Sequence, residues 1–286
     1  MKHEVVEMGH AEAAHEPVAE APALLPLDSK RTVAFSTKRG AFVYEFRRIG
    51  QPDWLRFFQS IVHQTVNIGP AREEVFETES ALLDLVDRTL VSVEGYGDTS
   101  KFKHWKRSLP MQHRIAAGIG LRSVGVSESV DEKIRLAEAQ LKAMPNDAEI
   151  SERLEQLVRE RDGAPLLSDL VEVSLDANWG TPNGMTLFSG LIHRFRQPSI
   201  EDLKKFNFES ARTRVTGTAE AGITTYPARQ AIAMRIYDDL IESVDGYAVG
   251  GRPLEGVENI RREMDGAHKA VAALELFAAR ESIAIA

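Results

Sequence analysis

The sequence predicts an α+β fold, mainly helical, in which a module of one β-hairpin followed by helices is used twice in a pseudo-two-fold arrangement, with a helical hairpin inserted between the copies. Three pairs of matching blocks carry that expectation. Phe46-Arg-Arg-Ile-Gly-Gln-Pro-Asp-Trp-Leu-Arg-Phe57 lies over Phe195-Arg-Gln-Pro-Ser-Ile-Glu-Asp-Leu-Lys-Lys-Phe206 without a gap, keeping Phe46/Phe195, Arg47/Arg196, Asp53/Asp202 and Phe57/Phe206. Asp87 to Tyr96, ending Val-Glu-Gly-Tyr, matches Asp238 to Tyr247, ending Val-Asp-Gly-Tyr. His113-Arg-Ile-Ala-Ala-Gly-Ile-Gly-Leu121 matches His268-Lys-Ala-Val-Ala-Ala-Leu-Glu-Leu276. Chance can supply one such block; three in the same order argue for a duplicated unit.

Residues 1 to 30 are rich in Ala, Glu and Pro, with six acidic and two basic side chains and no aromatic residue. Such a stretch buries too little apolar surface to offset its ordering entropy and reads as a flexible arm. Module one, residues 31–122, opens with Thr32–Ser36 and Ala41–Phe46, two short strands around a Gly40 turn. A first helix places Trp54, Phe57, Phe58, Ile61, Val62 and Thr65 on one face. After a loop, a second helix carries Leu82, Leu85, Val86, Leu90 and Val93 and stops at Gly95, and a third spans Pro110 to Leu121.

The insertion, residues 123–165, begins with the capping-box pattern Ser129-Val-Asp-Glu132. Ile134, Ala137, Leu141 and Met144 form one stripe, Pro145-Asn-Asp147 breaks the helix, and Ile150, Leu154, Leu157 and Val158 form a second. Module two, residues 166–286, repeats the layout: a strand over Leu170–Leu175, a Gly/Pro/Asn-rich turn over Asn178–Gly184, and a strand over Met185–Phe195. Pro198-Ser199 with Glu201-Asp202 forms a helix start. Leu203, Phe206, Ser210 and Ala211 mark that helix's face. A further helix, with Thr225 and Pro227 as its start signal and Gly246 as its stop, carries Ile232, Ile236, Leu240 and Val244; the last runs from about Leu254 to Arg280.

With 286 residues and 43% hydrophobic content the chain has material for a sizeable core. A net charge of -8 speaks against non-specific nucleic-acid binding, which needs a local excess of Lys and Arg. The absence of Cys excludes disulfides, thiolate catalysis and Cys-ligated metal. No apolar run has the length of a membrane span and the N-terminus does not read as a secretory signal, so the expected location is a cytoplasm, that of a bacterial host if the chain is phage-encoded.

None of the eight His has the spacing of a zinc hydrolase. His113 and His268, at equivalent positions, read as packing or helix-start histidines, with a general base as the competing role. Gly95-Tyr-Gly-Asp-Thr-Ser-Lys101 lacks the Gly-Lys-Ser/Thr order of a phosphate loop, and Gly118-Ile-Gly120 falls inside a helix. Asp84/Asp87 and Asp238/Asp239 read as solvated or ion-paired helix faces. Gly95 and Gly246 are expected as left-handed helix caps, with Tyr96 and Tyr247 folding back on the helix ends. Arg47 and Arg196 are expected to clamp Asp53 and Asp202. The expectation is therefore no catalytic, cofactor-binding or metal residue, and no cofactor.

Leu191-Ile-His-Arg-Phe-Arg-Gln-Pro-Ser-Ile-Glu-Asp-Leu203 resembles the opening of tail assembly chaperones of long-tailed bacteriophages, where a strand ending in basic residues runs into Pro-Ser/Thr, an acidic residue and Leu at a helix start. The resemblance implies a mainly helical, non-enzymatic protein that acts in building a virion tail, with virion proteins or itself as partners. It covers about a dozen residues per copy; the duplication, the inserted hairpin and Ile49-Gly50 in place of Pro-Ser depart from the pattern. The expected function is thus a non-catalytic assembly or structural protein of a phage or phage-like particle. An enzyme or small-molecule sensor with its site between the modules is the alternative.

Overall fold

The computed structural model describes residues 23–68, 71–128, 130–145, 147–163, 169–181, 184–210, 214–218, 222–226 and 229–278. The first half runs β1 (Leu25–Pro26), β2 (Arg31–Thr37), β3 (Gly40–Phe46), α1 (Gln51–Ser60), β4 (Val62–Ile68), β5 (Ala71–Glu77), α2 (Glu79–Thr89), β6 (Leu90–Glu94), α3 (Trp105–Ser108) and α4 (Met111–Leu121). β7 (Val124–Val126), α5 (Val130–Ala143) and α6 (Ala148–Gly163) follow. The second half runs β8 (Leu170–Thr181), β9 (Gly184–Arg196), α7 (Ile200–Ser210), β10 (Arg214–Thr218), β11 (Gly222–Tyr226), α8 (Arg229–Leu240), β12 (Ile241–Asp245), β13 (Tyr247–Val249), β14 (Arg252–Pro253), α9 (Val257–Glu263) and α10 (Gly266–Ala278). The fold is α+β.

Each half builds a sheet from its opening hairpin plus the strand that follows its second long helix. β2-β3-β6 is antiparallel, with Phe46 opposite Leu90; β12-β9-β8-β7 has Phe195 opposite Ile241 at the corresponding place. Both β3·β6 and β9·β12 carry a register irregularity beside that pair. Phe46 and Phe195 are both fully buried at the end of the second hairpin strand, facing the helices that follow. One core gathers Phe46, Trp54, Phe57, Leu82, Leu85 and Leu121; the other gathers Phe195, Phe206, Ile236, Tyr237, Leu240 and Leu276. The halves interlock, because Ala231, Met234, Ala267 and Ala270 of α8 and α10 pack into the first core. Gly180 permits the approach of β8 to β2, since a Cβ there would sit 1.4 Å from the Thr32 carbonyl oxygen.

Several expected elements take another form. Val62 and Thr65 do not extend α1: the chain turns at Ile61 into β4, and the expected loop to α2 is the β4–β5 hairpin, mirrored by β10–β11. The branched residues of Val62-His-Gln-Thr-Val66 suit a strand better than a helix, where they lose side-chain freedom. Leu90, Val93 and Val244 lie in strands β6 and β12, where the branched Val91, Val93, Ile241 and Val244 suit a strand. Thr225 lies in β11 and Pro227 outside the described residues, while α8 begins at Arg229.

In the second half Asn178–Thr181 extend strand β8 and are not a turn, while residues 182–183 lie outside the described residues and Gly184, whose φ of 125° suits glycine, opens β9. The final helix is broken at Met264-Asp265 into α9 and α10, because Asp265 accepts the Ala267 N–H as a helix cap does.

The arm also ends earlier than the sequence suggests. β1 runs parallel to β13, with Leu25 and Leu27 donating to the Gly246 and Ala248 carbonyls at 2.8 and 2.9 Å and both side chains buried in the second core. Residues 1–22 of the arm, Ser129 of the capping box, Ala211 and residues 279–280 lie outside the described residues. The inserted hairpin is present as α5 and α6, and Ile134, Ala137 and Leu157 make a small core of their own, separate from the other two.

Candidate functional site

The Phe-Arg blocks end in two like clamps. Arg47 donates to Asp53 at 2.7 and 3.0 Å, and Arg196 to Asp202 at 2.8 and 3.1 Å. The carboxylates also accept the backbone N–H of Gly50 and of Ser199, which fastens the first turn of α1 and of α7. Asp202 is held well below the usual carboxylate range, first by the Arg196 bonds. At Asp53 burial pulls upward, but the Arg47 and Gly50 bonds and the charges of Arg47 and Arg88 outweigh it.

A second pair of like contacts joins the ends of the other two blocks. In module one Tyr44 OH lies 2.7 Å from Tyr96 OH, which in turn bonds Nδ1 of His113. In module two His193 stands where Tyr44 stands, two residues before the buried Phe: its Nε2 is 2.7 Å from Tyr247 OH, which is 2.9 Å from Nδ1 of His268. Tyr237 OH closes the chain on His193 Nδ1 at 2.8 Å. Burial holds His193 well below its ordinary pKa and, with the charge of Arg31, brings His268 to about 3, so both imidazoles are neutral. The three contacts form one run of donors, either from Tyr237 through His193 and Tyr247 to His268 or in the reverse direction, and in both neutral His193 donates once and accepts once.

The network continues into residues of the first half of the chain. Trp179 and His268 meet in a T-shaped contact with ring centroids 5.8 Å apart, the Arg31 guanidinium lies 3.8 Å over the Trp179 ring, and Arg31 pairs with Asp265 at 3.8 Å. Trp54 of module one donates its indole N–H to Asp265 at 3.0 Å. Burial lowers Arg31 to about 10 and raises Asp265, each opposed by the other's charge. Lys269, also buried, donates to Asp238 at 2.6 Å and to the Arg261 carbonyl. Burial lowers the Lys269 ammonium and raises Asp238.

A cleft of about 650 Å³ lies at the boundary, lined among others by Arg47, Arg48, Gln51, Arg261, Arg262 and Glu263. Its guanidinium groups each have a carboxylate: Asp53 for Arg47, Glu263 for Arg48 and Arg262, and Glu258 for Arg261. Arg48 and Gln51 also donate to the Glu263 and Arg261 carbonyls, so α9 is stitched to the start of α1.

The remaining candidates resolve into packing. Asp84 pairs with Arg56 and Arg88, Asp87 with Arg114, and Asp239 with Lys205. Gly118 and Gly120 lie in α4, where added Cβ atoms would approach Leu82 to 3.1 Å and Val33 to 2.5 Å. Gly95 and Gly246 do have left-handed φ, 94° and 88°, but they end strands β6 and β12, so Tyr96 and Tyr247 fold back from strand ends and not from helix caps. Lys106 donates to the Asp87 and Leu90 carbonyls at the C-terminus of α2, a favourable place for a cation. Tyr44, His193 and Tyr237 were not singled out in the sequence; the signal available was their position, Tyr44 and His193 each lying two residues before the matched Phe.

Among the described residues no group of three or more His, Cys, Asp or Glu is placed to hold a metal ion, and no helix is long and apolar enough to cross a membrane. Comparison with protein-family models, curated proteins and solved structures gave no match.

Proposed function

We propose that this chain is a non-catalytic assembly or structural protein of a bacteriophage or phage-like particle, built from two copies of one module and binding neighbouring proteins of a larger complex. The observation that carries the reading is the use to which the repeated polar groups are put. Arg47–Asp53 and Arg196–Asp202 fasten helix starts, while Tyr96–His113 and Tyr247–His268 tie strand ends to helices, so the residues that match between the copies serve the framework. The likeness of Leu191–Leu203 to tail assembly chaperones supplies the phage context, and the hairpin α5–α6, with its separate core, is a module-free element available to a partner. Co-purification with the products of neighbouring genes tests this reading: a stable complex supports it, and failure to bind any of them counts against it.

The cleft between Arg48 and Arg262 keeps a small-molecule sensor as a second reading. A metabolite screen read by melting temperature separates the two, since a sensor requires a saturable shift. Under the assembly reading the screen gives none.

A further inference from the structure

The second hairpins of the two modules share one four-stranded sheet, in the order β10-β11-β4-β5, antiparallel throughout. Within it the second strand of module two's hairpin, β11, pairs with the first strand of module one's, β4. A half-turn relating the modules would make the converse pair as well, β5 with β10, and would close four strands into a barrel. The sheet is open instead, and among the described residues β5 and β10 have no strand on their outer sides. The contact between hairpins is therefore head-to-tail, and it leaves as edges the two strands that would make the same contact again.

We infer that β5 of one copy of this chain pairs antiparallel with β10 of the next, continuing the sheet across copies as β11 and β4 continue it within one. This deepens the assembly reading, on which it rests, by naming a second copy as a partner. Heterologous contacts of this kind close a ring or grow a filament. Charge favours the pairing. The inner strands, Val62-His-Gln-Thr-Val-Asn-Ile68 and Gly222-Ile-Thr-Thr-Tyr226, contain no acidic residue, Lys or Arg. Of the outer ones, β5 carries Glu73, Glu74 and Glu77 against Arg72, and β10 carries Arg214 alone. Two β5 edges repel each other, whereas β5 and β10 attract. If Val215 takes in β10 the place of Thr65 in β4, and Arg72 that of Ile223, the internal register carried across copies sets Glu73 beside Arg214.

The chain has no Cys, so Glu73→Cys and Arg214→Cys report without background. Within one chain the two positions lie on opposite edges of the sheet and are offset along the strands, so they stand more than about 14 Å apart at the usual strand spacing and beyond disulfide reach. Oxidising a mixture of the two single variants should give the mixed dimer as the main product, and the double variant should give a ladder of linked chains. A mixture that stays monomeric while its thiols react with a small reagent overturns the inference, as does E73C linking to itself as readily as to R214C. Should a variant lose its cooperative melt, hydrogen exchange on the unaltered chain replaces it: amides of β5 and β10 should gain protection together as concentration rises, and their indifference to concentration is the contrary result. A chain that fails these tests yet binds neighbouring gene products loses the self-pairing and keeps the assembly reading; one that forms the ladder and binds none does the reverse.

Discussion

Tyr247 bonds the Nδ1 of His268 at 2.9 Å, and both side chains are buried to within 1% of full burial. The equivalent pair in module one, Tyr96 with His113, sits half-buried at its sheet edge. The same contact therefore carries different weight in the two halves. Tyr247→Phe strands both His193 Nε2 and His268 Nδ1 in a dry interior and should cost roughly 2–4 kcal/mol, one desolvation penalty per unpaired group. Tyr96→Phe, with water at hand, should cost about 1 kcal/mol or less. Urea unfolding of the two variants checks the order; equal losses would contradict it.

Two neutral histidines in the core make stability depend on pH. His268 falls from its ordinary value to about 3 and His193 is lowered as well, so the unfolded chain binds more protons than the folded one below about pH 6.5. Their contribution is intact above that pH and is lost as pH falls toward the folded values. Each group adds a slope of about 1.4 kcal/mol per pH unit, and His268 alone accounts for a loss on the order of 5 kcal/mol by pH 3. Unfolding free energies measured between pH 7 and 4 should show that slope, and a flat profile across this range would refute the buried neutral state.

Asp265 joins the two halves of the chain, accepting from Trp54 and Ala267 and facing Arg31. Asp265→Ala leaves the Arg31 guanidinium buried without its anion and should cost about 3–5 kcal/mol. Adding Arg31→Met removes the orphaned charge and should recover part of that loss, because Met can still fill the space over Trp179. Additive losses in the double-mutant cycle would mean that the pair is not coupled.

The inserted hairpin packs Ile134, Ala137 and Leu157 on themselves. Replacing residues 128–162 by a short Gly/Ser link should leave the cooperative melt largely intact and weaken assembly. The start of the chain behaves differently from the flexible arm read in its sequence. Leu25 and Leu27 belong to the second core, so Leu25→Ala should cost about 2–5 kcal/mol. Truncation of residues 1–28 is therefore destabilising, contrary to what composition implies. A globally unfolded hairpin deletion, or a neutral Leu25→Ala, would each reverse these assignments.

What was legible in the sequence is local. The Phe46-Arg47 and Phe195-Arg196 blocks specify a strand end, a clamp and a helix start within a dozen residues, and the structure places Arg47 on Asp53 and Arg196 on Asp202. The hairpins β4–β5 and β10–β11 were hidden because Val62 and Thr65 also fit the helical stripe begun by Trp54 and Phe58. β6 was hidden because Leu90 and Val93, three residues apart, continue the helical stripe of Leu82, Leu85 and Val86, and β12 because Val244 continues that of Ile236 and Leu240. The His193–Tyr247–His268 chain spans β9, β13 and α10, and only tertiary packing brings it together. Leu25 and Leu27 sit among Ala, Glu and Pro, whose composition outweighed two apolar residues that find their partner strand more than two hundred positions away.

Native mass spectrometry of the full chain, alone and with the products of adjacent genes, tests the central claim most directly. The account predicts a defined complex of the 31.7 kDa chain with at least one neighbouring protein. A chain that binds none of its neighbours at any concentration would contradict it.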